Sequence, residues 1–319
     1  MNEYIIYKDV DLYFIKLLID HNEIKFLKKI SQVNKKYNII INEKLEDFYG
    51  FFKKYNLNEN NRDLLNESIK YGKLDVCKYI CSYKYMICGS AYTRFKTSCE
   101  YGHLDIAKWL WKIYGGFRGC FLAFESACVN GHLNIMKWLY EMNNYNIIVN
   151  YSNVFMYSCE NGHIEAANWL LNNFNKKINI HHEDEYAFRW SCHNGHLNIA
   201  KWLYKLGKHS NSEVNIHANG EFAFEYACAY SHIQIINWLM KISKGNIDIH
   251  SNHDFAFKWS CINGHTDVAK WLYGLPIKQP NKYGQKIKIT SYYGDLYEKC
   301  RKRGHDNIIE WLKLLRYCN

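Results

Sequence analysis

The clearest pattern of apolar and polar positions runs from Glu185 to Gly207, where two short segments each show helical spacing. The first segment, residues 186–194, has a narrow stripe of apolar and small residues at Ala187, Phe188, Ser191 and Cys192. The second has a wider apolar face at Leu197, Ile199, Ala200, Trp202, Leu203 and Leu206, with Asn198, Lys201 and Lys205 left for solvent. Gly195 stands where a left-handed glycine commonly follows a helix, and Gly207 is expected to end the second segment. The pattern predicts an antiparallel pair of short helices, here called helix A and helix B.

This helix pair recurs along the chain at a fixed internal spacing. Seven tryptophans each follow a histidine by six residues, at Trp109, Trp138, Trp169, Trp202, Trp238, Trp271 and Trp311 after His103, His132, His163, His196, His232, His265 and His305. Six phenylalanines stand eight residues before a histidine, at Phe95, Phe124, Phe155, Phe188, Phe224 and Phe257, and six cysteines stand four residues before one, at Cys99, Cys128, Cys159, Cys192, Cys228 and Cys261. One module is too small to bury its own apolar face, so the recurrence predicts a stack of modules. We expect the phenylalanines to fill one side of each seam between modules and the tryptophans to fill the other.

The motif weakens toward both ends of the chain, as the end modules of an array should. Residues 65–80 and 297–312 are degraded copies, and residues 1–61 keep only amphipathic pieces. We therefore predict a degenerate helical N-terminal cap over residues 1–61 and an array of about eight modules over residues 62–319.

Composition excludes several classes of protein. Two prolines and 48% hydrophobic residues argue against disorder. The chain has no run of 18 or more apolar residues, and charges interrupt residues 1–20, so neither a membrane span nor a signal peptide is expected. Six of the twelve cysteines share one position of the module, where counterparts in stacked modules lie too far apart for a disulfide. Reduced thiols in an intracellular compartment are therefore expected.

Residues 62–319 resemble the ankyrin repeat, whose core is T-P-L-H-x-A-A-x-x-G-H-x-x-V-V-x-L-L-L. The clearest module matches it with Phe188 on the first Leu, Ser191 and Cys192 on the paired Ala, Gly195 and His196 on Gly-His, Ile199 and Ala200 on the paired Val, and Trp202 and Leu203 on the Leu triplet. Residues 186–189 replace the Thr-Pro-Leu-His tetrapeptide, so aromatic packing must substitute for its hydrogen bonds. The pattern [YF]-A-F-x-x-[SA]-C-x-N-G-H, with the richness in Asn, Lys, Ile and Tyr, resembles the ankyrin-repeat proteins of large DNA viruses. The resemblance implies an all-α ankyrin-repeat solenoid of stacked antiparallel helix pairs with short loops.

The repeated Cys-x-x-x-His pattern raises a zinc hypothesis, because thiolate and imidazole are zinc ligands. However, the pair occurs once per module, and no paired Cys-x-x-Cys closes a site. Candidate nucleophiles also recur with the module, and no phosphate-binding glycine loop is present. We expect no catalytic residue, no metal ligand and no cofactor.

Charge differs between the two helices of the module. Helix B carries Lys108, Lys137, Lys201 and Lys270 in register, whereas acidic residues gather at the end of helix A and in the loops before it. In the family that the chain resembles, helix A and these loops line a concave binding face, which implies a groove for a basic or mixed-charge protein segment. The candidate partner-binding residues are Glu100, Tyr101, Asn130, Glu160, Asn161, Glu183, Asp184, Glu185, His193, Asn194, Glu221, Tyr230, Asp254 and Asn263. The alternative is that both charged faces only keep the array soluble.

Together these features predict a non-catalytic, monomeric scaffold that binds an unidentified protein partner. The resemblance to viral ankyrin-repeat proteins implies that this partner is a host protein and that the scaffold acts in the host cytoplasm. Two alternatives stay open. The first is nucleic-acid binding through a basic C-terminal end, at Lys282, Lys286, Lys288, Arg301, Lys302 and Arg303, although most aromatic residues are assigned to the core. The second is an adaptor for a ubiquitin ligase, for which residues 315–319 after the last module leave little room.

Overall fold

The computed structural model describes residues 64–82, 90–116, 120–142, 147–209, 212–275, 287, 289 and 292–318. The chain divides into two compact units, residues 1–89 and 90–319, each of which is described by itself. In the first unit, α1 (Leu64–Lys70) and α2 (Leu74–Ser82) form one helix pair, and Gly72 in the turn between them has φ of +69°. The predicted cap over residues 1–61 lies outside the described residues.

The described part of the second unit contains seven helix pairs and no strand. Their bounds are α3 (Ala91–Glu100) and α4 (Leu104–Tyr114), α5 (Phe121–Val129) and α6 (Leu133–Met142), α7 (Tyr151–Glu160) and α8 (Ile164–Phe174), α9 (His182–His193) and α10 (Leu197–His209), α11 (Ala218–Ala229) and α12 (Ile233–Ile242), α13 (Ser251–Ile262) and α14 (Thr266–Tyr273), and α15 (Tyr293–Lys302) and α16 (Asp306–Cys318). Each helix A packs against its own helix B and against the helix A of the next pair. The prediction of an all-α stack of helix pairs is confirmed.

The seams between modules are filled by the two predicted aromatic columns. The six phenylalanines are at most 1% exposed, and the ring of each lies 6.0–6.5 Å from the tryptophan ring of the following module. The pairs are Phe95 with Trp138, Phe124 with Trp169, Phe155 with Trp202, Phe188 with Trp238, Phe224 with Trp271 and Phe257 with Trp311. The tryptophans themselves are only half-buried, so the phenylalanines form the interior and the tryptophans its edge.

Small residues on helix A allow the backbones of neighbouring modules to come close. All six repeat cysteines have 0% exposure, as the helical register predicts. The hydroxyl beside the cysteine bonds across the seam to the cysteine carbonyl of the preceding module at 3.0–3.2 Å, from Ser158 to Cys128, Ser191 to Cys159 and Ser260 to Cys228. A larger side chain at the serine position would hold the two backbones apart.

The glycine between helix A and helix B has the left-handed backbone that the sequence predicts, and it meets a second requirement. Gly195 has φ of +82°, and a Cβ built on it would lie 2.9 Å from the His232 ring of the next module. In that position the His232 Nε2 donates to the His193 carbonyl, 2.8 Å away. The same approach brings His132 onto Gly102, His163 onto Gly131, His196 onto Gly162 and His305 onto Gly264.

Gly207 does not end helix B, contrary to the sequence-based expectation. It lies buried inside α10, which continues to His209. A Cβ there would lie 2.8 Å from the Ser212 carbonyl oxygen and 2.9 Å from the Val214 nitrogen. Glycine is needed at this position because the returning chain crosses close over the helix, and not because the helix stops.

Candidate functional site

The amino-terminal end of helix A is built as a left-handed turn in three successive modules. In α9 this turn is formed by Glu183, Asp184 and Glu185, whose φ values are 50°, 53° and 62°. The equivalent turns are formed by Asn219, Gly220 and Glu221 and by Asn252, His253 and Asp254. This backbone costs about 1–2 kcal/mol per residue for side chains other than glycine. Contacts to the turn must therefore offset the strain.

Buried polar contacts supply that compensation in α9. The Arg189 Nε donates to the Asp184 carbonyl at 2.6 Å, and its Nη2 donates to the Glu183 carbonyl at 2.9 Å. The His181 Nδ1 donates to the Glu185 Oε1 at 2.7 Å, and the backbone N–H of Asn215 in the next module donates to the same oxygen at 3.1 Å. We call this arrangement the His–carboxylate bridge. It ties one module to the next.

Two of the predicted partner-binding carboxylates belong to these bridges and are not exposed. Glu185 is 6% exposed and Glu221 is 7% exposed. Glu221 is bonded to His217 at 2.7 Å and to the N–H of Asp248 at 3.1 Å. The expectation that these two charges face solvent is wrong, because the left-handed turn directs them into the seam. Asp254 is half-buried and similarly bonded, to His250 at 2.6 Å and to the Tyr292 hydroxyl at 2.9 Å.

The other predicted residues stay at the surface, in two rows at opposite ends of helix A. Glu183 and Asp184 are exposed at its amino-terminal end. The second row, at the carboxyl-terminal ends of the helices, holds Glu100, Tyr101, Asn130, Glu160, Asn161, His193, Asn194, Tyr230 and Asn263, all exposed or half-buried. A helix rises about 1.5 Å per residue, so the two rows are roughly 12 Å apart in one module.

Asparagine side chains in the second row complete the ends of helices. The Asn194 amide donates to the Glu160 carbonyl and the Asn263 amide donates to the Ala229 carbonyl, each at 2.8 Å in the preceding module. Asn130 and Asn161 bond instead to carbonyls of their own helices. These asparagines therefore have a structural role whether or not they touch a partner.

Between the two rows lies a continuous line of aromatic rings that the sequence analysis did not single out. Its members, here called the aromatic row, are Tyr157, Tyr186, Trp190, Phe222, Tyr226, Phe255 and Trp259. Successive ring centroids along this order lie 6.2, 5.5, 5.5, 4.3, 5.1 and 5.7 Å apart. The rings are half-buried except for those of Tyr157 and Trp259, the two terminal members, which are 39% and 37% exposed. His193 lies against the middle of the row, with its ring 4.6 Å from that of Trp190 and 4.8 Å from that of Tyr226.

The fold does not require aromatic residues at these positions. They stand ten and six residues before the repeat histidine, and the modules on either side of the row have polar or aliphatic residues there. Those residues are Thr93 and Thr97, Leu122 and Ser126, and the ion-paired Asp295 and Lys299. The i, i+4 aromatic spacing within helix A was visible in the sequence. It was overlooked because aromatic residues were assigned to the core.

The thiols of the repeat are unsuited to chemistry. Burial raises the pKa of all six repeat cysteines, to about 12 for Cys99. A buried thiol with so high a pKa is protonated at neutral pH and is therefore a poor nucleophile. Within the described ranges, no group of three or more His, Cys, Asp and Glu residues is arranged to hold a metal ion. Nor does the described part of the chain include a helix that is long and apolar enough to cross a membrane.

Comparisons with known proteins give one family match and one partial structural likeness. The family model described as "Ankyrin repeats (3 copies)" matches residues 124–215 and 188–283, which together make up half of the chain. Among solved structures, the human ASB11 ankyrin repeat domain is similar, with 19% sequence identity, a TM-score of 0.41, and coverage of 60% of this chain and 89% of that one. A search of the curated proteins found no match. The chain belongs to the ankyrin-repeat family.

Proposed function

We propose that this protein is a non-catalytic scaffold that binds a protein partner across the helix A face, with the aromatic row at the centre of the contact. The observation that carries the proposal is the position of that row. It is continuous over four helices, it is open to solvent at both of its ends, and it is not needed by the fold.

Aromatic side chains are the usual anchors of protein–protein contacts, because each buries a large area while fixing few torsions. A connected apolar surface of this kind is seldom left in contact with water without a function. The two flanking rows supply polar groups for the rim of the contact, chiefly through Glu183, Asp184 and Asn194. Glu185 and Glu221 do not belong to the proposed contact, because their carboxylates are already bonded inside the stack.

The resemblance of the repeat to those of large DNA viruses makes a host cytoplasmic protein the partner that we propose, bound by a monomer. The basic C-terminal end is a weaker candidate for a binding site. Lys282, Lys286 and Lys288 lie outside the described residues, while the Arg301 Nη2 is 3.0 Å from the Glu298 Oε2. An adaptor for a ubiquitin ligase would still bind a protein partner, and therefore is a special case of the proposal.

The experiment compares substitutions on two surfaces. Tyr157→Ala combined with Trp259→Ala removes the two exposed ends of the aromatic row. Ile113→Ala combined with Leu314→Ala removes two helix B side chains that are 52% and 66% exposed, as a matched control. Proteins captured from cell lysate by the wild type and by each variant are compared by quantitative mass spectrometry.

We expect the aromatic pair of substitutions to lower capture of the specific partner by about tenfold or more, whereas the control pair leaves it unchanged. Thermal melts check the fold of both variants. The control pair should melt close to the wild type. The Tyr157 and Trp259 rings are 39% and 37% exposed and pack on neighbouring rings, so their loss should cost about 1–3 kcal/mol without unfolding the array. Equal capture by all three proteins would show that the aromatic row is not the contact.

A further inference from the structure

The two ends of the aromatic row differ in charge. At the Tyr157 end, the Tyr186 hydroxyl donates to the Glu160 Oε2 at 2.9 Å. Burial and the carboxylate of Glu160, with a contribution from Glu183, raise the pKa of Tyr186, which places both acidic side chains close to this ring. Asp184 is exposed beside them in the same left-handed turn. This end of the row is acidic.

The opposite end of the row is basic. The Arg303 guanidinium lies 5.8 Å from the Trp259 ring centroid and is held there by Asn263, whose Oδ1 is 2.5 Å from the Arg303 Nη1. Lys258, on the same helix as Trp259, has its ammonium 4.1 Å from the ring of Tyr292. Lys302, which precedes Arg303 in the sequence, is exposed at the end of α15. A partner group at this end meets cations.

Among the described residues, the middle of the row presents no exposed charged side chain. Burial lowers the pKa of His193, so its imidazole is uncharged at neutral pH. Arg189 is buried beneath Phe222, with its N–H groups bonded to backbone carbonyls. The row therefore changes from acidic through aromatic to basic along its length.

On this basis we propose that the occupant of the row is an extended protein segment with separated charges. This inference rests on the proposed function. Basic side chains of the segment lie against the end with Glu160, Glu183 and Asp184, its apolar side chains cover the rings, and acidic side chains lie against the end with Lys258 and Arg303. Charge complementarity of this kind fixes the direction in which a segment lies.

The length of the segment follows from the spacing of the helices. Four packed helices with axes about 8–10 Å apart span roughly 24–30 Å. An extended chain advances about 3.3 Å per residue, so a segment of about eight or nine residues covers the row. A single-stranded nucleic acid is also able to stack on aromatic rings, but its uniform negative charge would be repelled at the acidic end.

A peptide selection tests this inference. Random 12-residue peptides displayed on phage are selected on the full-length protein, and in parallel on the Tyr157→Ala, Trp259→Ala variant. We expect the wild type to enrich peptides whose basic and acidic residues are segregated to opposite ends around an apolar centre. The aromatic variant should not enrich them.

Charge substitutions then test the orientation by fluorescence polarisation with one enriched peptide. Glu183→Lys with Asp184→Lys should raise its Kd about tenfold, and changing the basic residues of the peptide to glutamate should restore binding. Glu183→Gln with Asp184→Asn gives a smaller effect in the same direction and serves if the lysine variant is unstable. Lys258→Glu with Arg303→Glu should be rescued by the opposite change at the other end of the peptide.

The outcomes separate this inference from the proposed function. Peptides that depend on the aromatic row but show no segregation of charge would overturn the inference and leave the proposed function standing. The same holds if no peptide is enriched while a lysate protein is still captured through the row. Peptides enriched equally by the aromatic variant would contradict both.

Discussion

The glycine between helix A and helix B must satisfy two separate constraints. Its backbone is left-handed, and its missing Cβ leaves room for the imidazole of the next module. The histidine bonds through that gap to the last carbonyl of the preceding helix A, as His232 does to His193 and His132 does to Glu100. One missing methyl group therefore permits both the turn inside a module and the hydrogen bond between modules.

Two alanine substitutions separate these constraints. Gly304 occupies the same position as Gly195 with φ of +73°, but no atom would lie within 4 Å of its Cβ. Gly304→Ala should cost only the backbone strain, about 1–2 kcal/mol. Gly195→Ala should cost clearly more, because the His232 ring must move and lose its bond. Urea unfolding of both variants measures the difference, and equal losses would show that the contact of the ring with the glycine is unimportant.

The left-handed turn of residues 183–185 is stabilised by hydrogen bonds of buried side chains and not by the backbone preferences of its own residues. Glu183 and Glu185 are two glutamates of one turn, both with positive φ, and their side chains are 55% and 7% exposed. Glu185 receives two hydrogen bonds across the turn and the seam. The Glu183 carbonyl accepts from Arg189, and its exposed carboxylate makes only a long contact of 3.9 Å with the His182 Nε2.

Glu185→Ala should therefore lower the free energy of unfolding by about 1–3 kcal/mol, since the N–H of Asn215 and the His181 ring lose their acceptor, the buried Glu185 carboxylate. Glu183→Ala, the matched control, should stay within about 0.5 kcal/mol of the wild type. Chemical denaturation with an unchanged m-value tests both. A silent Glu185→Ala would mean that water replaces the carboxylate without cost.

The elements differ in how far the sequence could predict them. The right-handed part of helix A, the buried Phe188 and Cys192 and the turn at Gly195 were predictable, because local periodicity decides them. The left-handed turn at residues 183–185 was not, because single-residue preferences oppose it and side-chain contacts from His181, Arg189 and the next module stabilise it. The helical Gly207 was likewise misassigned, since the chain that crosses it is non-local. The surface position of Trp190 and Tyr226 could not be predicted, because the sequence alone does not distinguish a half-buried aromatic residue from a core one.

At the scale of the whole molecule, stability should depend on pH through buried histidines, carboxyls and thiols. Burial lowers the pKa of His163, His193, His196 and His265 below the ordinary value of 6.5. As the pH falls, these histidines are therefore protonated at a higher pH in the unfolded chain than in the folded one. Their contribution to stability is fully present above about pH 6.5 and is lost as the pH falls below that value. The buried thiols have raised pKa values, so unfolded thiols ionise first and stability is lost again as the pH rises above about 9.

Two glutamates act in the opposite sense on the acidic side. Burial raises the pKa of Glu225 to about 7 and also raises the pKa of Glu125, so both contributions weaken folding as the pH rises above about 4.5. These carboxyls oppose the four histidines below about pH 7, so the larger change in stability is expected on the alkaline side. Urea unfolding from pH 5 to pH 10 should show a loss of stability above about pH 9, and a flat profile there would contradict the burial of the thiols.

Because the contacts between modules repeat, the gene can lose one module without creating a new kind of contact. A crossover between the codons of Gly162 and Gly195 would delete residues 163–195 and place His232 over Gly162, with Phe155 facing Trp238. Each new contact is between residues that already make the same contact elsewhere in the chain. The same event would remove Tyr186 and Trp190 and bring Tyr157 next to Phe222. Unequal recombination would thus shorten the proposed binding surface by one whole module, and evolution of this surface by duplication or loss would proceed in steps of about 10 Å.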